Sequence, residues 1–236
     1  MKTMTLSDLI IMCKYLAQKS VVGLALGILL AFVMENPYIV SPLISVTVGG
    51  TCAITVLVLD ERNGWERYRL AMPISRANVV YGRYASLAIA VAVGLVVGLV
   101  ASPAAMALAS AFMAMGYDVN GVRALGEGID PGAYTLSASM GLLFITVALA
   151  VTLPLTMQPG MTKAVRFIPM LIALVVILAS AAIGSNGTRF VAQFLDGIFA
   201  NPNGPTMLAV ASAAASIALY AASAAIAARL YEAREL

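Results

Sequence analysis

The residues able to do chemistry are concentrated in one stretch, residues 60–84, DERNGWERYRLAMPISRANVVYGRY. It carries five of the chain's 14 Lys and Arg residues (Arg62, Arg67, Arg69, Arg76, Arg83) and its single Trp, Trp65. Asp60, Glu61 and Glu66 stand among them, with Tyr68, Tyr81 and Tyr84. Arginines mixed with aromatics suit a surface that binds another protein, since they bring forked donors and large rigid faces. The same composition would also serve as a plain anchor, with arginines held in water and Trp65 in the aromatic belt at a membrane. Catalysis fits less well. The chain has no His, which removes imidazole bases, His-held metals and Ser-His triads together. It has no G-x-x-x-x-G-K-[ST] loop to cradle a nucleotide. No residue is therefore assigned a catalytic, metal-binding or cofactor-binding role.

What must position this stretch is a membrane bundle. The 236-residue chain is 61% hydrophobic and 11% charged, with a mean hydropathy of +0.96, whereas soluble domains run about 25% charged. At about 20 residues per span, the length predicts an all-α fold. It is an integral membrane six-helix bundle, one transmembrane domain over residues 1–236. The apolar runs place spans at 16–34, 38–59, 85–111, 134–156, 167–184 and 206–228. Residues 1–19 show helical spacing, with Leu6, Leu9, Ile10, Cys13, Leu16 and Ala17 near one face and Ser7, Asp8, Lys14 and Gln18 towards the other. That pattern fits an amphipathic helix lying in the interface or, equally, an extension of the first span. Lys19 is expected to snorkel out to the interface.

Inside the spans, Gly49-Gly50 permits close approach or a bend, and Gly94 and Gly98, four apart, share a helix face suited to packing. Pro103 is expected to kink or interrupt the third span, because proline lacks the N–H donor. Residues 185–204 place Phe190, Val191, Phe194, Leu195, Ile198 and Phe199 at helical spacing. This piece is too short to span and too apolar to be solvated, which predicts a re-entrant or interfacial helix. The last span is largely Ala and Ser, useful where backbones approach closely. Cys13 and Cys52 lie in different settings, so no disulfide is expected.

Basic residues orient the bundle. The N-terminus, residues 60–84, residues 157–166 and the C-terminal tail together hold all but Arg123 and Arg189 of the Lys and Arg residues. That predicts six spans with both termini cytoplasmic and residues 60–84 on the same side. No formal charge falls in the central apolar part of any predicted span, which counts against an ion-coupled path. The basic residues hug span ends, so membrane lipid explains them and nucleic acid is not an expected partner. Within the cytoplasmic stretch, Pro73 should end a short amphipathic helix, and Ser75 can cap a new helix that starts at Arg76 and enters the third span.

The order D-E-x-x-x-W-E-x-Y-x-L-x-x-P-I-S-R-x-x-V-V-x-x-R-Y between the second and third spans resembles the ABC type-2 permeases. It is most similar to the small six-span group that includes exporters of phenol-soluble modulins and other peptides. The matching residues are Asp60, Glu61, Trp65, Glu66, Tyr68, Leu70, Pro73, Ile74, Ser75, Arg76, Val79 and Tyr84. The layout is similar over the full length. The resemblance implies that residues 60–84 form a cytoplasmic coupling helix docking on a separate ATPase subunit. Two permeases, alike or different, would pair with two ATPases in a bacterial cell membrane. ATP would be bound by that partner, and no cofactor by this chain. Glu66, Arg67, Tyr68 and Arg69 would then contact the ATPase, with Trp65 and Leu70 packing the coupling helix on the bundle. Pro73, Ser75 and Arg76 would set the angle at which force enters the third span. Phe190, Phe194 and Phe199 would belong to an outer gate. The expected cargo is an amphipathic peptide, a lipid or a hydrophobic drug. Other readings are a substrate-binding membrane component of a vitamin-type importer, and a non-transporting scaffold or immunity protein.

Overall fold

The computed structural model describes residues 2–34, 36–63, 75–116, 125, 130–156 and 196–232. Five helices hold most of them: α1 (Lys2–Met34), α2 (Pro37–Asn63), α3 (Arg76–Ala114), α4 (Pro131–Thr156) and α5 (Gly204–Glu232). No strand occurs among the described residues. All five helices are long and apolar enough to cross a membrane. At 1.5 Å per residue they run roughly 40 to 60 Å, against a hydrocarbon core of about 30 Å. The chain is an integral membrane helical bundle. The predicted span at 167–184 lies outside the described residues.

Local chemistry starts the helices where the sequence places its caps. Ser75, in extended backbone at φ −62° and ψ 142°, accepts from the Asn78 N–H at 3.4 Å and opens α3. Before α2, Asn36 Oδ1 accepts from the Tyr38 N–H at 2.9 Å, and before α4 the Asp130 carboxylate accepts from the Gly132 and Ala133 N–H groups. Pro37 and Pro131 fill the first helical position, where a missing N–H costs nothing.

The antiparallel pair α2 and α3 forms the middle of the bundle. α1 packs on both, α4 packs on α2, and α5 packs on α4 and α3. Two apolar clusters fill the seams. One joins Met12, Cys52, Val56, Leu87, Leu149, Leu153 and Tyr231 from all five helices. The other joins Ala31, Val40, Ile44, Ala101 and Ala105 of α1, α2 and α3, with Leu125. The α4–α5 pair is parallel: Ser212 Oγ donates to Ser139 Oγ at 2.8 Å, and Ser223 Oγ to the Ala150 carbonyl at 2.9 Å.

Three expectations are corrected here. First, α1 is unbroken from Lys2 to Met34, so residues 2–19 extend the first span rather than form a separate helix in the interface. Its apolar side is outward, with Leu6 60% and Ile10 69% exposed, and Lys14 and Gln18 are exposed as well, but Asp8 is turned into the bundle and 3% exposed. In a bundle surrounded by lipid the apolar side turns outward and the polar group seeks a partner inside. Second, Lys19 does not reach outward. Its Nζ donates to the Thr51 carbonyl and to Thr55 Oγ1 of α2, each at 2.6 Å. Third, Pro103 does not interrupt α3, which is helical from Arg76 to Ala114. The carbonyl four residues earlier, on Leu99, has no helical donor, and the Tyr134 hydroxyl of α4 donates to it at 2.7 Å. Pro154 in α4 is handled the same way, since the Ala150 carbonyl it leaves over accepts from Ser223. Hydroxyls from neighbouring helices thus replace the bonds that proline removes.

Candidate functional site

Of the residues the sequence marks for coupling, Trp65, Glu66, Arg67, Tyr68, Arg69, Leu70 and Pro73 lie outside the described residues. Ser75 caps α3, and Arg76 Nη1 donates to the Glu232 carbonyl at the last turn of α5, 3.4 Å away. Phe190 and Phe194 also lie outside. Phe199 is the last helical residue of the described stretch 196–199 and is exposed.

Gly94 and Gly98 face α2. A Cβ built on Gly94 would stand 3.0 Å from the Ser45 carbonyl oxygen and 3.1 Å from the Gly49 nitrogen. At Gly98 it would stand 2.5 Å from the Ser41 carbonyl oxygen. Backbone meets backbone along this seam, which only glycine allows. Ser102 Oγ, one turn further along, donates to the Pro37 carbonyl at 2.9 Å.

A dense polar site lies near the start of α3. Arg83 and Asp8 pair at 3.5 Å with side chains 3% and 4% exposed. Ser86 Oγ bridges the Asp8 carboxylate at 3.3 Å and the Arg83 carbonyl at 2.9 Å. One turn earlier on α1, Thr5 Oγ1 donates to the Gly82 carbonyl at 3.4 Å. The neighbouring residue points elsewhere: the Tyr84 hydroxyl shares a 2.8 Å bond with Ser223 Oγ of α5. Since Ser223 donates onward to Ala150 of α4, the phenol supplies the proton of that bond. The Tyr220 hydroxyl donates to the Tyr84 carbonyl at 2.7 Å, and the two rings lie 5.1 Å apart in a tilted contact. Arg83 and Tyr84 therefore tie the base of α3 to α1 on one side and to α4 and α5 on the other. A charge in this setting is costly unless paired, and Asp8 supplies the opposite charge, while the buried Arg83 Nε has no hydrogen-bond acceptor among the described residues. Among the described residues no group of three His, Cys, Asp or Glu side chains is placed to hold a metal.

Spacing alone puts Asp8 on the polar side of an N-terminal helix and Arg83 in the charged cytoplasmic stretch. A signal existed for each partner. Asp8 is the first acid of the chain and the sole one before residue 35, within a run that otherwise carries lysines. Tyr220 is the single aromatic among the small residues of 206–228. An isolated polar residue in a membrane segment asks for a partner.

A family of ABC-2 family transporter proteins matches residues 3–232. This chain belongs to that ABC-2 transporter family. Neither a curated protein nor a solved structure matches it. The family assignment makes the chain an ABC-2 type permease, a transmembrane component of transport. The Asp8–Arg83 pair and the Tyr84 chain are thus features of a permease bundle, placed where its second and third membrane helices are joined.

Proposed function

We propose that this ABC-2 permease is the membrane subunit of an exporter, driven by a separate ATPase subunit that acts on the connection between α2 and α3. The observation that carries the reading is the match to ABC-2 transporters over residues 3–232 in a chain with no Walker A loop. The ATP chemistry must then be brought by another polypeptide, and the Arg- and aromatic-rich residues 60–84 are the surface suited to receive it. Trp65, Glu66, Arg67, Tyr68, Arg69 and Leu70 would dock, and Ser75 and Arg76 would pass the push into α3. A second copy or a related permease completes the pathway in the cell membrane, with both termini cytoplasmic. Six crossings are supported by the parallel run of α4 and α5, because the chain leaves α4 at one end of the bundle and enters α5 at the other. The cargo of this reading is an amphipathic peptide, a lipid or a hydrophobic drug, which suits the largely apolar spans.

The test is affinity purification of the tagged permease from native membranes in mild detergent with nucleotide present. Mass spectrometry should recover a soluble protein bearing Walker A and B motifs. That protein should disappear when residues 62–72 are replaced by a neutral linker. Recovery of the permease without any ATPase would remove the exporter reading.

A further inference from the structure

We propose that Arg83 and Tyr84 form a two-armed relay that spreads any displacement of the base of α3 through the bundle. One arm is the Asp8 carboxylate, which carries the motion to α1. The other is the hydrogen-bond chain from Tyr84 through Ser223 to Ala150, which carries it to α5 and α4. The relay rests on the reading that an ATPase pushes where α3 begins.

The geometry supports two arms rather than one. Consecutive residues of a helix point about 100° apart, as 3.6 residues make a turn. Arg83 and Tyr84 can therefore engage different neighbours from a single level of α3, and they do. That level lies about 10 Å above Arg76 along the helix axis, and α3 holds no proline before Pro103. A shift imposed at Ser75 thus reaches Arg83 through a continuous helix. Apolar side chains in contact can slide past one another, whereas a charge pair in a low dielectric cannot part without leaving uncompensated charge. α1 packs along α3 and is also bound to it by polar groups. Its outer face is given over to apolar side chains, Ile10, Val21 and Val33 among them, and its polar holds on α3 are clustered at Thr5 and Asp8. Arg76, bonded to the last turn of α5, lies on the same arm as Tyr84 and strengthens it.

The experiment uses the permease–ATPase complex in lipid nanodiscs, with spin labels as probes of motion. Cys13 is exposed on α1 and carries one label in a Cys52→Ala background. Tyr81→Cys reports α3, and Leu230→Cys reports α5, both at exposed positions. Cys13→Ser is added for the last two. In the otherwise native complex all three labels should change mobility between the nucleotide-free state and the ATP–vanadate state. In Asp8→Asn the α3 and α5 responses should persist while the α1 response is lost. Ser223→Ala combined with Tyr220→Phe should weaken the α5 response, which Arg76 still supports, and spare α1. Should Asp8→Asn fail to fold, Asp8→Leu with Arg83→Met replaces the pair by apolar groups of similar bulk, and the α1 response should again be lost. An α1 label that responds equally with and without the pair overturns the relay while leaving the exporter reading intact. A native permease whose α1 label never responds, although the α3 label does, overturns it too. If no ATPase accompanies the native permease, the exporter reading itself fails and the relay falls with it.

Discussion

The Gly98 contact allows a substitution whose cost can be worked from distances. In Gly98→Ala the new Cβ would lie 2.5 Å from the Ser41 carbonyl oxygen and 3.3 Å from Ser41 C and Cα, all backbone of α2. Ordinary van der Waals contact begins at 3.4 Å, so α2 and α3 must separate by about 0.9 Å at this point. No side-chain rotation can absorb the clash. Overpacking of this kind costs about 1–3 kcal/mol. The same separation stretches the bond from Ser102 to the Pro37 carbonyl beyond hydrogen-bonding range from its present 2.9 Å, a further loss of about 1 kcal/mol. Alanine offsets part of this, since it favours a helix over glycine by about 1 kcal/mol. Gly50→Ala supplies the control. It gains the same propensity, but its Cβ meets just the tip of Ile145, Cδ1, at 3.3 Å, and a side-chain end can move. The difference between the two variants isolates the seam, at about 2–4 kcal/mol in favour of Gly50→Ala. For a chain of this length each kcal/mol moves the melting temperature by about 2–4 °C. Thermal unfolding in nanodiscs, followed by loss of helical circular dichroism, should therefore place Gly98→Ala about 4–16 °C below Gly50→Ala. Equal melting temperatures would refute the close packing of α2 on α3.

Other outcomes follow from the same geometry. Tyr134→Phe withdraws the donor from the Leu99 carbonyl that Pro103 leaves without its helical partner, and should cost about 1–3 kcal/mol. In the Tyr134→Phe variant, Pro103→Ala should recover most of that loss; no recovery in thermal stability would mean that the hydroxyl serves another purpose. Ser75→Ala removes the cap of α3 and should cost about 1 kcal/mol, read as faster amide hydrogen exchange at residues 76–79; unchanged exchange there would remove the cap from the account. Under the exporter reading, reversing charge at Arg67 and Arg69 together should abolish co-purification of the ATPase while leaving the permease inserted. Undiminished recovery of the ATPase would move the docking contact to other residues.

The course of the fold was legible in the sequence wherever the signal is local. Uninterrupted apolar length marks α2, α3, α4 and α5 as membrane helices, because a backbone in lipid must satisfy its own hydrogen bonds. Ser75 as the start of α3 was legible for a similar reason, as a hydroxyl can cap only the few N–H groups beside it. Close packing at Gly94 and Gly98 follows from four-residue spacing, though their partner, the backbone from Ser41 to Gly49, does not. The burial of Asp8 against α3 was not legible from the spacing of α1. Around a bundle the outer medium is as apolar as the core, so hydropathy does not tell the side that faces lipid from the side that faces α3.

Composition and order alone determined that this is a helical membrane protein, where its long helices begin, and which stretch between them is polar enough to meet a partner. Tertiary structure decided which polar residues are bound to one another. Asp8 and Arg83 are 75 positions apart, and Tyr84 and Ser223 are 139 apart, so no local pattern could pair them. It also decided the fate of Pro103 and Pro154, whose orphaned carbonyls depend on hydroxyls arriving from other helices. The physical reason is the same throughout. A chain records the propensities of its segments, whereas the partner of a buried polar group is fixed by which helices lie side by side.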